Sequence, residues 1–348
     1  MKNIIIGIDF SKETFDATVL DLSKTSGVLP SSFNGMHERF QNSKRGFQQL
    51  LAWIKKSTKQ EPSKDWVFCG EQTGKYSHGL CDFLFDKGLD MWIEAPLRIK
   101  RCMGIARGKN DSLDSLRIAE YAYRYQDKMT TYQPVSKAIA QLKELFLARL
   151  KFVEQRKALF VRNNTSTEYS KGSDAEKTVA KLSRNLIKQY DESIRQLEEE
   201  MQAIIDSDEE ILETFENISS IKGISLINAS AFIIYTNNFK DFGANPRRIA
   251  SYWGVAVFAQ DSGTSVHHPA RTSPLCSKML KSLLSEAAVA ARLYNPNIKR
   301  YYNRLIAKGK HKGVALNNVK NKLVHIITAL AVNKTEYVEG YECFRKPS

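Results

Sequence analysis

The feature that most limits what this chain can fold into is a short apolar run near its start that ends on a carboxylate. Residues 2–9 read Lys-Asn-Ile-Ile-Ile-Gly-Ile-Asp, and a run of this length rich in isoleucine predicts a buried β-strand rather than a helix. The alternation over residues 15–20 predicts a second strand that returns antiparallel. Asp9 then ends a central strand, a rigid position that many folds use to bind a divalent cation. The simpler alternative is that Asp9 caps the following turn.

Residues 1 to about 130 alternate between strand-like and helix-like patterns. Further strands are predicted near residues 28–33, over 65–71 and over 89–94, with helices around 46–55 and after Gly74. Two hairpin-like strands followed by strands that alternate with helices is the element order of a ribonuclease H-like α/β fold.

Three more acids stand where a metal site would need them. Glu71 ends another predicted strand, and Asp111 and Asp114 open a predicted helix, where the spacing i, i+3 puts them on one face. Such a pair is unfavourable unless a cation neutralises it. With Asp9, these carboxylates can converge on one or two Mg²⁺ ions that activate an attacking oxygen and neutralise a scissile phosphate. The alternative for the helical pair is a capped first turn whose acids interact with the helix dipole.

The composition favours a polyanionic partner. The 348 residues include 52 lysines and arginines against 38 acids, a net charge of +14, which indicates nucleic acid or an acidic membrane. No apolar run approaches the roughly 20 residues of a membrane span, and the N-terminus has no secretory leader, so we expect a cytoplasmic, nucleoid-associated protein. The five scattered cysteines lack any Cys-x-x-Cys pair, which is typical of reduced thiols and argues against a zinc site.

The segment 131–212 changes to long, charged, amphipathic sequence. Apolar residues recur at helical spacing in two stripes. The first consists of Ile139, Leu142, Leu145, Phe146, Leu150 and Val153, and the second of Leu182, Leu186, Ile187, Ile194, Leu197 and Met201. The pattern predicts an antiparallel helical arm similar to a coiled coil, formed within the chain or with another protomer.

Residues 213–348 predict a second, mainly helical domain. Residues 221–224 followed by an apolar run resemble a helix-hairpin-helix element, in which Lys222 and Gly223 would lie against a DNA phosphate. Glycine-containing helix turns are common, however, and Ser225 stands where a second glycine is usual.

A serine loop over residues 261–265 is the second candidate for chemistry. Ser262 precedes a glycine, and Arg271, Lys278 and Lys281 follow, so a basic surround can hold a phosphate while the serine attacks it. The alternative is an ordinary turn in which the serine has no chemical role.

Four short motifs resemble one known family in their order and spacing. They are Gly-Ile-Asp at residues 7–9 with Lys12 and Asp16 after it, Glu71-x-Thr-Gly-x-Tyr, Lys109-Asn-Asp-x-x-Asp, and Ser262-Gly-x-Ser. On these residues the chain resembles, nearly from end to end, the DEDD-type transposases of bacterial insertion sequences, RuvC-like serine recombinases that include the Piv invertase.

The resemblance implies a three-part protein: a RuvC-like domain over 1–130, a coiled-coil arm over 131–212 and a transposase domain over 213–348. It implies a Mg²⁺-binding tetrad of Asp9, Glu71, Asp111 and Asp114, with Lys109 beside it as a nucleic-acid-binding residue. It further implies that Ser262 forms a covalent phosphoserine link to donor and target DNA, with the tetrad coming from a neighbouring protomer of a homodimer or homotetramer. Several relatives are guided by a structured bridge RNA, which would delegate sequence choice to base pairing.

Some positions depart from the family pattern. Ala256-Val257 stand where many relatives have Thr-Pro, Pro274 and Cys276 replace a common lysine and glycine, and Lys281 replaces a frequent arginine. Lysine keeps the charge but loses the bidentate fork. Ser265 remains a rival nucleophile on the same loop.

Three other functions share parts of this pattern. One is a Mg²⁺-dependent nuclease of the Holliday-junction type, in which water attacks and Ser262 is structural. Another is a non-catalytic nucleic-acid-binding derivative of a transposase. A sugar-kinase or actin-like ATPase also begins with a strand ending in Gly-Ile-Asp, but the sequence lacks the second glycine-rich phosphate loop that such a protein needs.

Overall fold

The computed structural model describes residues 3–23, 35–72, 74–102, 111–165, 172–262 and 266–340, and for residues 75, 111, 259–262 and 266–269 it describes the backbone. The chain divides into two compact units, residues 1–134 and 135–348. No helix in the described ranges is long and apolar enough to cross a membrane.

The first unit contains a mixed five-stranded sheet with the strand order β3-β2-β1-β4-β5. Strands β1, β2 and β3 pair antiparallel, whereas β1, β4 and β5 pair parallel. The strands are β1 (Ile4–Phe10), β2 (Thr14–Asp21), β3 (Met36–Gln41), β4 (Trp66–Glu71) and β5 (Asp90–Glu94). The helices are α1 (Lys44–Thr58), α2 (His78–Asp86), α3 (Pro96–Cys102) and α4 (Asp111–Arg124). This ribonuclease H-like sheet with helices confirms the predicted α/β fold.

Four of these five strands occur where the sequence predicted them. The predicted third strand over 28–33 falls outside the described residues, and the described strand β3 begins at Met36. Helix α1 occurs where it was predicted and is longer at both ends. Ser43 caps its N-terminus by accepting from the Gly46 amide, and Lys59, in the left-handed conformation, follows its last residue.

Strand β1 of the first unit is buried on both faces. Alternate residues Ile4, Ile6 and Ile8 of β1 pack in one cluster with residues of α1 and α2. Ile5 on the opposite face packs with Ile118 and Ala119 of α4. Since β1 is buried on both sides, it appears in the sequence as a continuous apolar run rather than an alternating one.

The second unit is mainly helical and contains one two-stranded sheet. Its helices are α5 (Lys137–Asn163), α6 (Asp174–Ser207), α7 (Glu209–Ser219), α8 (Leu226–Tyr235), α9 (Pro246–Tyr252), α10 (Lys278–Tyr294), α11 (Pro296–Ala307) and α12 (Lys312–Asn333), and its strands are β6 (Val257–Ser262) and β7 (Val266–Thr272). The base of the α5–α6 arm shares the core of this unit, since Ile139 and Met201 belong to one buried cluster with Phe232 and Leu284. The arm is therefore continuous with the helical core, and the boundary predicted at 212 does not separate two compact units.

The outer part of the arm has exposed apolar residues. Leu182 and Leu186 belong to the stripe that was predicted to pack within the chain or against another protomer, and they are 59% and 45% exposed. Nearer its base, the two helices of the arm are joined by ion pairs such as Arg149 with Glu198, 2.8 Å apart, and Arg156 with Asp191. A two-helix hairpin can cover only one face of each helix, so part of a wide apolar stripe stays outside the seam.

Strands β6 and β7 form an antiparallel hairpin where the sequence predicted a loop. Val257 pairs with Thr272 at its base and Ser262 with Val266 at its far end. The register shifts between Phe258 and Gln260, opposite the segment that contains Pro269. A bulge is where a strand tolerates proline, so Pro269 is compatible with this hairpin.

Candidate active site

Two of the predicted acids lie side by side at one edge of the first sheet. Asp9 belongs to β1 and Glu71 ends β4, and the parallel register pairs Ile8 with Gly70, so Asp9 and Glu71 occupy the next position on adjacent strands. Neighbouring strands are about 4.8 Å apart. Both residues are half-buried and each interacts with another group.

Helix α4 carries the other two predicted acids and lies directly on β1. A Cβ atom at Gly7 would be 2.1 Å from the backbone oxygen of Ser115 and 2.3 Å from the backbone nitrogen of Ala119. Asp114 precedes Ser115, and Gly7 precedes Asp9 by two residues on the same face of the strand. The close approach of backbone to backbone therefore brings the beginning of α4 onto the part of β1 beside Asp9.

The two helical acids differ in what the structure describes. Asp114 is half-buried and accepts from Arg117 Nη1 at 3.3 Å. Asp111 is the first residue of α4, with its side chain outside the described atoms, and Lys109 lies outside the described residues altogether.

The donor set suits a hard divalent cation. Asp9, Glu71 and Asp114 offer carboxylate oxygens, the ligands that Mg²⁺ prefers. Within the side chains that the structure describes, no three His, Cys, Asp or Glu residues lie close enough together to form a ready metal site. The fit therefore rests on the chemistry of the donors and on their common edge, and a fourth acid at 111 would complete the set.

Two acids that sequence reasoning did not single out as site residues extend this pair into a row. Asp16 of β2 is the register partner of Asp9, and Glu94 of β5 is the register partner of Glu71. Asp16, Asp9, Glu71 and Glu94 thus lie in sequence across four adjacent strands, on the face that α4 covers. Like charges on neighbouring strands are destabilising unless other groups neutralise them.

The outer two acids are neutralised by fixed partners. Buried Asp16 accepts from His37 Nε2 at 2.8 Å and from Arg39 Nε at 3.1 Å. Buried Glu94 accepts from Arg98 Nη1 at 3.1 Å and from the Tyr121 hydroxyl at 2.9 Å.

The Glu94 group shifts the pKa values of its neighbours. Burial, followed by the hydrogen bond to Glu94, raises the pKa of the Tyr121 phenol, so the phenol stays protonated as a donor. The charge of Glu94 raises the pKa of the Arg98 guanidinium. A signal in the sequence was the strand-ending acid at 94, which follows the same pattern as Asp9 and Glu71.

The hairpin holds Ser262 far from the basic residues predicted to surround it. Ser262 ends β6, five residues from Val257, which corresponds to about 17 Å along an antiparallel strand. Lys281 lies at the base instead, where its Nζ atom donates to Thr272 Oγ1 at 3.1 Å. Arg271 also pairs near the base, and Lys278 begins α10. The assignment of these three cations as phosphate contacts for Ser262 stays a prediction.

The base of the hairpin contains a second cation that the sequence did not single out. Partial burial and the charge of Lys281 lower the pKa of Lys320 on α12. Three residues earlier, Asn317 Nδ2 donates to the Val255 carbonyl at 3.0 Å, which ties α12 to the start of β6. Ser265 lies outside the described residues.

The predicted helix-hairpin-helix turn joins α7 to α8. Gly223 has φ of 103°, and a Cβ there would be 2.4 Å from the Ala291 nitrogen of α10, so close packing accounts for the glycine. Lys222 Nζ lies 2.9 Å from Glu339 Oε1. Their assignment as DNA contacts stays a prediction.

Two family models match the chain. A model of the DEDD transposases of the IS110 type, described as a transposase, matches residues 6–164. A model described as the transposase family IS116/IS110/IS902 matches residues 215–303. The first match contains the row of acids and the second contains the hairpin with Ser262.

One curated protein is also similar. A segment of 122 residues is 26% identical to an uncharacterized 43.6 kDa protein of insertion element IS110 from Streptomyces coelicolor. The alignment covers 34% of this chain and 29% of that protein, so it spans under a third of the length of the relative.

Proposed function

Since this chain belongs to the IS110 family of insertion-sequence transposases, we propose that it is a DNA transposase that cuts and rejoins DNA through a covalent bond to Ser262. The observation that carries the proposal is that one chain contains both a row of carboxylates on the sheet of its first unit and a serine at the end of a hairpin in its second. A nuclease that used water would need the carboxylates and no such serine.

The reaction exchanges one phosphodiester for another. The Ser262 hydroxyl attacks a DNA phosphorus atom, the Oγ–P bond forms, and the bond from phosphorus to a deoxyribose oxygen breaks. The serine proton leaves to a base, and the departing deoxyribose oxygen takes up a proton. A deoxyribose hydroxyl of the other DNA then attacks the phosphoserine, which releases the serine. The phosphodiester energy is retained, so no nucleotide cofactor is consumed.

Asp9, Glu71, Asp111 and Asp114 would hold Mg²⁺. When bound, Mg²⁺ supplies charge neutralisation at the phosphate and lowers the pKa of a coordinated oxygen. The protein's part is to keep Asp9 and Glu71 on a rigid sheet edge and to fix the start of α4 against β1.

We further propose that donor and target DNA are chosen with the help of a structured RNA and that the protein works as a homodimer or homotetramer. The excess of cations supports a polyanionic partner, because backbone contacts supply affinity without reading sequence. The exposed apolar residues Leu182 and Leu186 of the arm support contact with another protomer.

Trapping tests the proposal. The full chain, its copurifying RNA, Mg²⁺ and end-labelled element DNA are incubated and resolved on a denaturing gel. We expect a slowly migrating protein–DNA adduct that is absent in Ser262→Ala and in Asp9→Asn. Ser273→Ala, which removes a hydroxyl just beyond β7, is the matched control and should keep the adduct.

Other outcomes reject parts of the proposal. An adduct that persists in Ser262→Ala but disappears in Ser265→Ala would move the nucleophile by three residues. Cleaved DNA with free phosphate ends and no adduct would establish a hydrolytic nuclease instead. DNA binding without cleavage under any condition would indicate a non-catalytic derivative.

A further inference from the structure

Helices α11 and α12 form a cationic part of the second unit that has no acids of its own. The sequence contains no aspartate or glutamate between Glu286 and Glu336, although this stretch includes ten lysines and arginines. Helix α11 packs on α10 and α12, and the sequence of α10 has Glu286 as its one acid. The elements that touch α11 most closely therefore supply little negative charge.

Two of these cations meet at one aromatic ring. The Cζ atom of Arg304 lies 5.5 Å from the centroid of the Tyr301 ring, and the Nζ atom of Lys322 lies 4.5 Å from the same centroid. The two charges are therefore at most about 10 Å apart, which is about one Debye length at moderate ionic strength. We call Tyr301, Arg304 and Lys322 the tyrosine cluster.

The tyrosine cluster has no negative partner in the described part of the chain. No ion pair among the described residues includes Arg304 or Lys322, and the Tyr301 hydroxyl has no hydrogen-bond partner there. Partial burial, followed by the charge of Arg304, lowers the pKa of the Lys322 ammonium. The cations are thus unfavourable neighbours, and an anion placed between them would relieve their repulsion.

The side chains of the cluster have the donors that a phosphate needs. The lysine ammonium has three N–H donors, the guanidinium has five in one plane, and the tyrosine hydroxyl has one. A cation over a tyrosine ring is held by the charge distribution of the ring, which occupies none of these donors in a hydrogen bond to an acceptor oxygen. Arg304 and Lys322 are both exposed, so a ligand can reach them. Because the ring already orients the two cations, less conformational entropy is lost when a phosphate binds.

We infer that Arg304 and Lys322 together bind one backbone phosphate of a nucleic acid. The site is formed by α11 and α12 and uses no residue of the hairpin that carries Ser262. It would position the strand and read no sequence, since DNA and RNA both present this phosphate. The inference rests on the proposed function, because it takes the anion to belong to a nucleic acid on which a transposase acts. The competing role is that the two cations only cover the Tyr301 ring.

Binding of the full chain to a fluorescent DNA duplex of about 30 base pairs, and separately to an RNA hairpin of similar length, is measured by anisotropy in EDTA over a range of salt. We expect Arg304→Gln and Lys322→Gln each to weaken binding about fivefold at low salt. Lys299→Gln is the matched control, because this exposed lysine is on the same helix and about 140° around its axis from Arg304. The control should change binding less than twofold.

The double variant tests whether the two cations share one phosphate. The salt slope on duplex DNA falls by about 0.9 for each phosphate contact that is lost. If Arg304 and Lys322 share a phosphate, either one still neutralises it alone. Each single variant should then leave the slope nearly unchanged, and the double variant should lower it by about 0.9. A loss of about 0.9 in each single variant and about 1.8 in the double variant would mean two separate phosphates and would overturn the inference.

Two further measurements separate phosphate binding from packing on the ring. Lys322→Arg keeps the charge and should bind nucleic acid like the wild type. Thermal unfolding of each single variant should show a change in Tm of less than about 4 °C, because an exposed cation over a tyrosine contributes little to stability. If the double variant binds both polymers like Lys299→Gln, the cations only cover the ring and the inference is wrong. A changed slope with one polymer supports the inference and identifies that polymer as the ligand.

The binding assay and the trapping assay fail independently. If the Ser262-dependent adduct forms and the cluster variants match their control, only this inference fails. If no adduct forms but the cluster variants lose binding, the tyrosine cluster still binds nucleic acid and the serine mechanism is wrong.

Discussion

Replacing Gly7 with alanine should push helix α4 off the first sheet. The added Cβ would lie 2.1 Å from a backbone oxygen and 2.3 Å from a backbone nitrogen of α4, whereas real Cβ contacts essentially never fall below 3.0 Å. The helix must therefore move by about 0.9 Å, and no side-chain rotation can relieve the overlap because both contacts are backbone atoms. Overpacking of this kind costs about 1–3 kcal/mol, and we expect the upper end, about 3 kcal/mol.

The assay is thermal unfolding of the full chain by calorimetry. A loss of about 3 kcal/mol in a unit of this size corresponds to a decrease in Tm of roughly 10 °C in the transition of the first unit. Gly79→Ala is the matched control, because its Cβ would lie 3.3 Å from the end of the Phe47 ring, and it should change Tm by less than about 2 °C. A Gly7→Ala protein with wild-type Tm and wild-type adduct formation would refute the claim that backbone contact with α4 positions the acids.

Four further outcomes can be checked. Tyr121→Phe removes a donor from buried Glu94 and should lower the free energy of unfolding by about 1–3 kcal/mol in urea titrations; no change would mean that the remaining donors suffice. Burial, then the charge of Asp82, raises the pKa of Cys81 to about 12, so iodoacetamide at pH 8 should label exposed Cys102 far faster than Cys81, as read by mass spectrometry. Because the folded state keeps the Cys81 thiol neutral, its contribution to the free energy of unfolding is fully present below the unfolded pKa near 9 and is lost from pH 9 towards 12, by about 1.4 kcal/mol per pH unit. Chemical denaturation over this pH range should show the decline, and Cys81→Ala should flatten it. Lys320→Gln should raise Tm at pH 7, and the gain should shrink as pH rises towards 10.5, because a lowered folded-state pKa means that the unfolded chain binds more protons; a gain independent of pH would contradict this cause.

The edge that carries Asp9 and Glu71 could be predicted because its signals are local. A short apolar run that ends on an acid indicates both a buried strand and the position of the acid on it. The long helices of the arm could be predicted for the same reason, since their apolar periodicity extends over many turns. Such patterns repeat within one element and need no knowledge of its neighbours.

The remaining features depend on residues that are distant in sequence. Nothing near Gly7 indicates that a backbone 108 positions later will rest on it. The pairing of Glu94 with Tyr121 crosses two elements, and the hairpin contains a register shift beside Pro269 that the sequence pattern does not reveal. The exposure of Leu182 likewise depends on how many helices the arm contains, which its own periodicity does not reveal.

The row of carboxylates also determines when a growing chain acquires this edge. Its four members come from residues 9, 16, 71 and 94, and the two outer ones are neutralised by residues up to 121. A nascent chain that has exposed only β1 and β2 outside the ribosome has two facing acids and no parallel neighbour to complete the row. The edge therefore forms only after about a third of the protein has been synthesised. A product terminated before that point would lack it.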